Sequence, residues 1–350
     1  MEEYRRQNTE DRIQKLEDRR GRKWLLMHLI FVIVPIVFIF SASILKAEII
    51  TYKDKLGRKV VILVPVKRAV FFITYELIPS LDIWDRVAGI GRWAYENDLM
   101  KATKPNIAST IPSTGSGSDV NIEALLKLKP DLVITWTFKP ETVRFMEEKG
   151  LRVIAIYPES LSELYDVMRL HGRLFGKEKK MEHSIEEMEK IFKLIRERVS
   201  NIPVDKKRKV LWLGGKPTTV ACRIGVTNDI FKMIGGINPA SSIPQRNADV
   251  PMERIIAWNP DVIFIWGNAG YKAKDILNSP QWRFVKAVKE GRIYKAPEWS
   301  TWSQRLAPIA LWMATKTYPE YFRDIDIKKV TDDFYHKVFG ISYSKVKQFE

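Results

Sequence analysis

The chain has 350 residues, 45% of them hydrophobic and 29% charged, enough apolar material for one or two domains with full cores. Its formal charge of +16 is spread along the chain, since the first 47 residues hold nine Lys/Arg against six Asp/Glu, and such a surface attracts anionic partners. No helix-turn-helix, zinc-finger spacing or glycine-aromatic RNA signature accompanies the charge, so nucleic acid is not expected; the single cysteine, Cys222, excludes an intrachain disulfide and a cysteine-rich metal site.

In chain order, the first predicted element is the apolar run Trp24–Phe40, broken only by His28 and Pro35. Arg19, Arg20, Arg22 and Lys23 precede it and Ser41-Ala42-Ser43 follow, the layout of a secretory signal. Its 17 residues also reach the lower limit for spanning a bilayer. The positive-inside rule keeps the hydrophilic head in the cytoplasm and sends the body outside the cell. Ala47, with Leu45 two positions before it, is a weak cleavage match, so a cleaved signal and a permanent transmembrane anchor both stay open. Residues 1–47 are set apart as head and membrane segment.

The strongest internal signal is a repeat. Asp119-Val-Asn-Ile-Glu123 leads through a short helix to Pro130-Asp131 and the run Leu132–Trp136. Asp249-Val-Pro-Met-Glu253 leads in the same way to Pro260-Asp261 and Val262–Trp266. Asp, Glu, Pro, Asp and Trp recur at the same offsets, 130 residues apart. Each copy predicts a one-faced helix and then a strand buried on both sides. Further strands are expected at Ala69–Ile73 and Val153–Tyr157 in a first lobe (48–160), and at Val210–Gly214 and Ile293–Ala296 in a second (206–350). That alternation is the signature of parallel α/β sheets. Between the lobes, at 161–205, lies a helical linker broken at Gly176. Its second part carries Met181, Ile185, Met188, Phe192, Ile195 and Val199 as one apolar stripe.

The repeat, the linker, the opening Ile50-Thr-Tyr-Lys-Asp54-Lys-Leu-Gly57-Arg58-Lys-Val60, then Gly235-Gly236-Ile-Asn238 and Gly291-Arg292-Ile-Tyr294 resemble periplasmic binding proteins for ferric siderophores, haem and cobalamin. The resemblance runs from residue 48 to about 322 and rests on the order and spacing of these motifs together. It implies an α/β fold of two Rossmann-like lobes with central sheets joined by a long backbone helix, with ligand held between the lobes. It also implies a partnership with an ABC permease and ATPase, onto which one surface glutamate per lobe docks; Glu123 and Glu253 match these. Equivalent carboxylates on similar lobes suit a two-fold symmetric partner, giving register and steering.

Ligand contacts are expected on loops after the strands, where open α/β sheets bind. The candidates there are Tyr75, Trp93, Tyr95, Trp136, Arg223, Asn268, Trp299, Trp302 and Arg305, and the resemblance places family contacts at the Trp93/Tyr95 and Trp299–Arg305 loops. Aromatic faces suit a bulky ligand and arginine pairs with carboxylate or chelate oxygens. Trp136 and Trp266, closing buried strands, read equally well as core. An iron chelate is the leading expectation, with cobalamin, molybdate or tungstate, or a membrane-anchored sensor without transport, as alternatives. With few histidines outside the membrane segment, no bare metal site is expected. Gly115-Ser-Gly117 is not a nucleophile elbow and Gly214-Gly-Lys216 lacks phosphate-loop spacing, so no catalytic role and no cofactor are expected, and a monomer is.

Overall fold

A computed structural model describes residues 47–349 and begins on a hairpin, β1 (Glu48–Lys53) and β2 (Lys59–Val64). Alternation sets its faces: Ile50, Val60, Ile62 and Val64 are buried, packed toward the helix Leu161–Phe175. The turn is built by Asp54, whose carboxylate accepts from the backbone N–H of Leu56 and Arg58, and by Gly57 at φ 80°.

The first lobe holds β3 (Ala69–Phe71), β4 (Val87–Ile90), the small hairpin β5 and β6 (Gly115–Ser116 and Asp119–Val120), β7 (Leu132–Trp136) and β8 (Val153–Ile156). Its main sheet runs β4-β3-β7-β8 and is parallel throughout. The second lobe holds β9 (Val210–Leu213), β10 (Thr219–Ala221), β11 (Asn247–Asp249), β12 (Val262–Ile265) and β13 (Ile293–Lys295), in the order β11-β10-β9-β12-β13. There β9, β12 and β13 are parallel, and β10 and β11 add an antiparallel margin. The central strands are buried on both faces, as their continuous apolar runs predict.

The repeat has a structural cause. In each copy the residue before Pro, Lys129 or Asn259, takes a left-handed conformation at φ 46° that ends the helix. The Asp after Pro then accepts from the backbone at the start of the neighbouring strand: Asp131 from Lys67 and Arg68 at 3.0 Å, Asp261 from Lys209 at 2.7 Å. Its own N–H returns to Arg68 O or Lys209 O. Pro-Asp therefore pins a strand beside its parallel neighbour in both lobes.

The linker breaks at Gly176 as expected, and the break reverses the chain. Gly176 sits at φ 64°, with Lys177 N–H bonded to Gly172 O and Gly176 N–H to Arg173 O, a Schellman cap. Arg169 meets Glu182 at 2.8 Å and Tyr165 bonds Glu189, so Leu161–Phe175 and Glu178–Val199 lie antiparallel. A methyl on Gly172 would come within 3.2 Å of the Glu178 backbone, which fixes how closely they pack. The predicted stripe from Met181 to Val199 is buried at every position. Glu178–Val199 touches Leu77–Leu81 of the first lobe and both Val226–Met233 and Leu306–Thr317 of the second, so this one helix is the bridge.

Helix Ile327–Phe339 then packs on the bridging helix and on Leu77–Leu81, carrying the chain back across to the first lobe. Among the described residues no helix is long and apolar enough to cross a membrane. The expected membrane segment, 24–40, lies outside them.

Candidate ligand-binding cleft

The loops that follow the parallel strands of the two lobes meet in two places, a buried seam and a candidate cleft. At the seam stands Glu76, just past β3, fully buried. Its carboxylate accepts from Asn97 Nδ2 at 2.6 Å, from Ser303 Oγ at 2.6 Å, from the Ser300 backbone at 3.2 Å and from Arg305 Nη1 at 3.2 Å. Arg305 also holds Asp98 with both terminal nitrogens, at 2.7 and 3.0 Å, and donates Nε to Tyr335 at 2.8 Å. Trp299 lies under the guanidinium, 4.0 Å from it, and donates Nε1 to Asp98 at 3.1 Å. Burial alone would raise the Asp98 carboxyl, but Arg305 and the N–H groups of Lys347 and Leu99 hold it below its ordinary range.

This placement differs from the expectation for Arg305 and Trp299. Arg305 is 0% exposed and Trp299 3% exposed, and the guanidinium spends Nε and both terminal nitrogens on protein partners. They tie one lobe to the other rather than present a surface to ligand. Tyr75, beside Glu76, is half-buried, and burial pushes its phenol up.

Behind the seam, Thr74 is strained at φ 57°, a conformation that branched side chains avoid. Its hydroxyl is 3.0 Å from His171 Nε2 on the first linking helix. Burial pushes the His171 imidazole down to about 4, against the opposing pull of Val167 O.

The candidate cleft is marked by a connected aromatic cluster. Trp136, ending β7, meets Phe138 edge-on at 5.6 Å, and Phe138 meets Tyr157 at 5.2 Å. Tyr157, just past β8, meets Trp302 of the second lobe at 4.5 Å. Arg246 reaches over from the second lobe to sit 4.0 Å above the Tyr157 ring. It pairs with Glu159 at 2.6 Å, and Glu159 also receives Lys55 at 3.1 Å. Burial opposes the Glu159 charge, while Arg246 and Lys55 hold its carboxyl below the usual range. Gly117 lies against Trp136 so closely that a Cβ there would stand 2.7 Å from the indole nitrogen, so only glycine fits.

Of the expected contacts, this cluster unites Trp136 and Trp302. Trp93 is 53% exposed, with Arg92 over its ring, and Tyr95 donates its hydroxyl to Ile111 O. Arg223 and Asn268 are exposed on second-lobe loops. Glu123 and Glu253 are exposed in the first turns of Ile122–Lys127 and Met252–Trp258, equivalent places in the two lobes. Tyr157, Glu159 and Arg246 were missed. Tyr157 could have been found, since it follows its strand as Trp136 closes another, whereas nothing periodic marks Arg246. Among the described residues no three His, Cys, Asp or Glu side chains stand together as a metal site.

The periplasmic binding protein family pattern matches residues 72–298. The molybdate-binding protein MolA of Haemophilus influenzae is 26% identical over 87% of this chain and 94% of its own. The Fe(3+)-citrate-binding protein YfmC of Bacillus subtilis is 27% identical over 55% of this chain and 61% of its own. Among solved structures, Helicobacter pylori CeuE in its Ni-His complex superposes with a TM-score of 0.77 at 26% identity, covering 86% of this chain and all of that one. With that pattern spanning both lobes and the bridging helix between them, the chain belongs to the periplasmic binding protein family of ABC importers.

Proposed function

We propose that this receptor captures an anionic, oxygen-rich metal complex between its lobes, an iron chelate first, and delivers it to a membrane permease. The observation that carries this reading is Arg246, partly exposed above Tyr157 and one ring away from Trp302. A guanidinium framed by aromatic faces is suited to a bulky complex whose rim is carboxylate or hydroxamate oxygen. The likeness to the Fe(3+)-citrate-binding relative supports the same class. Trp136 and Trp302 are the central contacts, with Trp93, Tyr95, Arg223 and Asn268 on the surrounding loops. Molybdate is the second reading, favoured by the near full-length match to MolA. Residues 24–40 send the receptor out of the cytoplasm, either cleaved as a signal or retained as an anchor; on the anchor reading they hold it at the outer face of the membrane. Glu123 and Glu253 dock the permease.

The test is a thermal-shift series on the full chain with ferric citrate, a ferric siderophore, haem, cobalamin, molybdate and tungstate. A ligand present at about 100 times its Kd adds about 2.7 kcal/mol to the folded state, a rise of several degrees. Ferric chelates should give that rise. A response to molybdate alone would transfer the assignment to the second reading, and no response from a normally folded chain would remove capture altogether. For docking, Glu123→Arg with Glu253→Arg should abolish ligand-stimulated ATP hydrolysis by the reconstituted importer. Unchanged hydrolysis would defeat that role.

A further inference from the structure

Among the described residues the outward face of the first hairpin has no partner. While Ile50, Val60, Ile62 and Val64 turn inward, Ile49, Val61 and Leu63 stand 67%, 52% and 54% exposed. The register sets Ile49 directly opposite Leu63 and Val61 opposite Thr51, so the three apolar side chains form one patch. On the same face, one step nearer the turn, Lys53 stands opposite Lys59, like charges across a ladder. Lys55 and Arg58 in the turn spend their charge on Glu159, Glu163, Asp54 and Glu147, and Lys53 and Lys59 share in none of those pairs. An apolar patch ending in two cations is the order of groups across a lipid interface, acyl boundary first and phosphate next.

Connectivity points the same way. The apolar run ends at Phe40 and the hairpin begins at Glu48. The connecting residues 41–47 reach at most about 25 Å when fully extended. We infer that the Ile49/Val61/Leu63 face docks on an anionic lipid surface, with Lys53 and Lys59 at the phosphates. The inference rests on the anchor reading above, by which the hairpin follows the membrane segment closely in sequence. A second copy of the chain is a poorer occupant, because three side chains fall far short of the roughly 1,000 Å² a stable interface needs.

The experiment uses the full chain in nanodiscs of phosphatidylcholine with and without phosphatidylglycerol. An environment-sensitive dye is placed at Leu63→Cys, or at Leu277→Cys on the second lobe as control; Cys222 is fully buried and stays unlabelled in the folded protein. Spin-labelled lipid should quench the Leu63 site at least about threefold more than the control. That excess should fall in discs lacking phosphatidylglycerol and in Lys53→Gln/Lys59→Gln. Quenching equal to the control overturns the docking, and quenching indifferent to anionic lipid overturns the choice of surface. A chain that does not remain with the discs defeats the anchor reading instead. Docking is then read by cosedimentation with phosphatidylglycerol vesicles against Val61→Ser/Leu63→Ser. A severalfold loss in the variant upholds it; equal binding, or none, overturns it.

Discussion

Two arginines of the second lobe reach carboxylates of the first, and they differ in what surrounds them. Arg305 is fully buried, and its Nε and terminal nitrogens are spent on Glu76, Asp98 and Tyr335. Arg246 keeps 41% of its side chain exposed and has one acid, Glu159, which it shares with Lys55. Taking a charge out of water is costly, so the first pair survives only because its hydrogen-bond demands are met, and it cannot be opened cheaply. The second pair is only partly buried, so it opens at far lower cost. The same two residue types thus make a weld at the seam and a replaceable contact at the cleft.

The comparison breaks if the two behave alike on truncation. Arg305→Leu should cost about 3–5 kcal/mol in denaturant unfolding, because Glu76 and Asp98 are left buried without a counter-charge. Arg305→Lys should recover little of it, since an ammonium cannot span Asp98 and Tyr335 together. Acid sharpens the contrast. Against the cost of burial, Arg305 holds Asp98, and Arg246 with Lys55 holds Glu159, below the ordinary carboxylate range, so both contributions are lost only as pH falls through those lowered values. His171 responds at higher pH. Its imidazole is held neutral down to about 4 in the fold against 6.5 unfolded, so the unfolded chain binds the extra proton in that window. Its contribution is complete above pH 6.5 and is lost as pH falls towards 4, about 3 kcal/mol in all. A His171→Gln variant should flatten the stability profile over that interval; an unchanged slope would place the proton elsewhere.

Smaller effects belong to the cleft. Arg246→Ala should move stability by less than about 1 kcal/mol, yet weaken binding of an anionic chelate about tenfold or more by calorimetry. Glu159→Gln should leave the fold intact and tighten the same ligand by a few-fold, since Arg246 no longer divides its charge. A loss of affinity in that variant would mean that the acid itself faces the ligand.

How much of this was legible in the sequence follows the range of the contacts. The repeat was plain because Pro-Asp does the same local task twice, pinning a strand beside its neighbour. The stripe from Met181 to Val199 was plain because one helix face is a matter of spacing alone. Trp136 and Trp302 were singled out as residues of loops after strands, and the structure brings them into one aromatic cluster through Phe138 and Tyr157. The place of Arg305 was not legible, because whether an arginine faces ligand or lies buried depends on Glu76 and Asp98, residues remote in sequence that carry no marker of their own. Arg246 was missed for the same reason, its partners being Tyr157 and Glu159 across the cleft.

The seam also bears on kinetics. Arg305 is 229 positions from Glu76 and 207 from Asp98, and Lys347 closes on Asp98 from 249 positions away. Contacts so distant wait on the folding of both lobes and add nothing to the first collapse. Interactions formed after the rate-limiting step restrain escape from the folded state rather than hasten arrival at it. The weld is thus a brake on unfolding, and the lifetime of the folded receptor is set by its longest-range bonds.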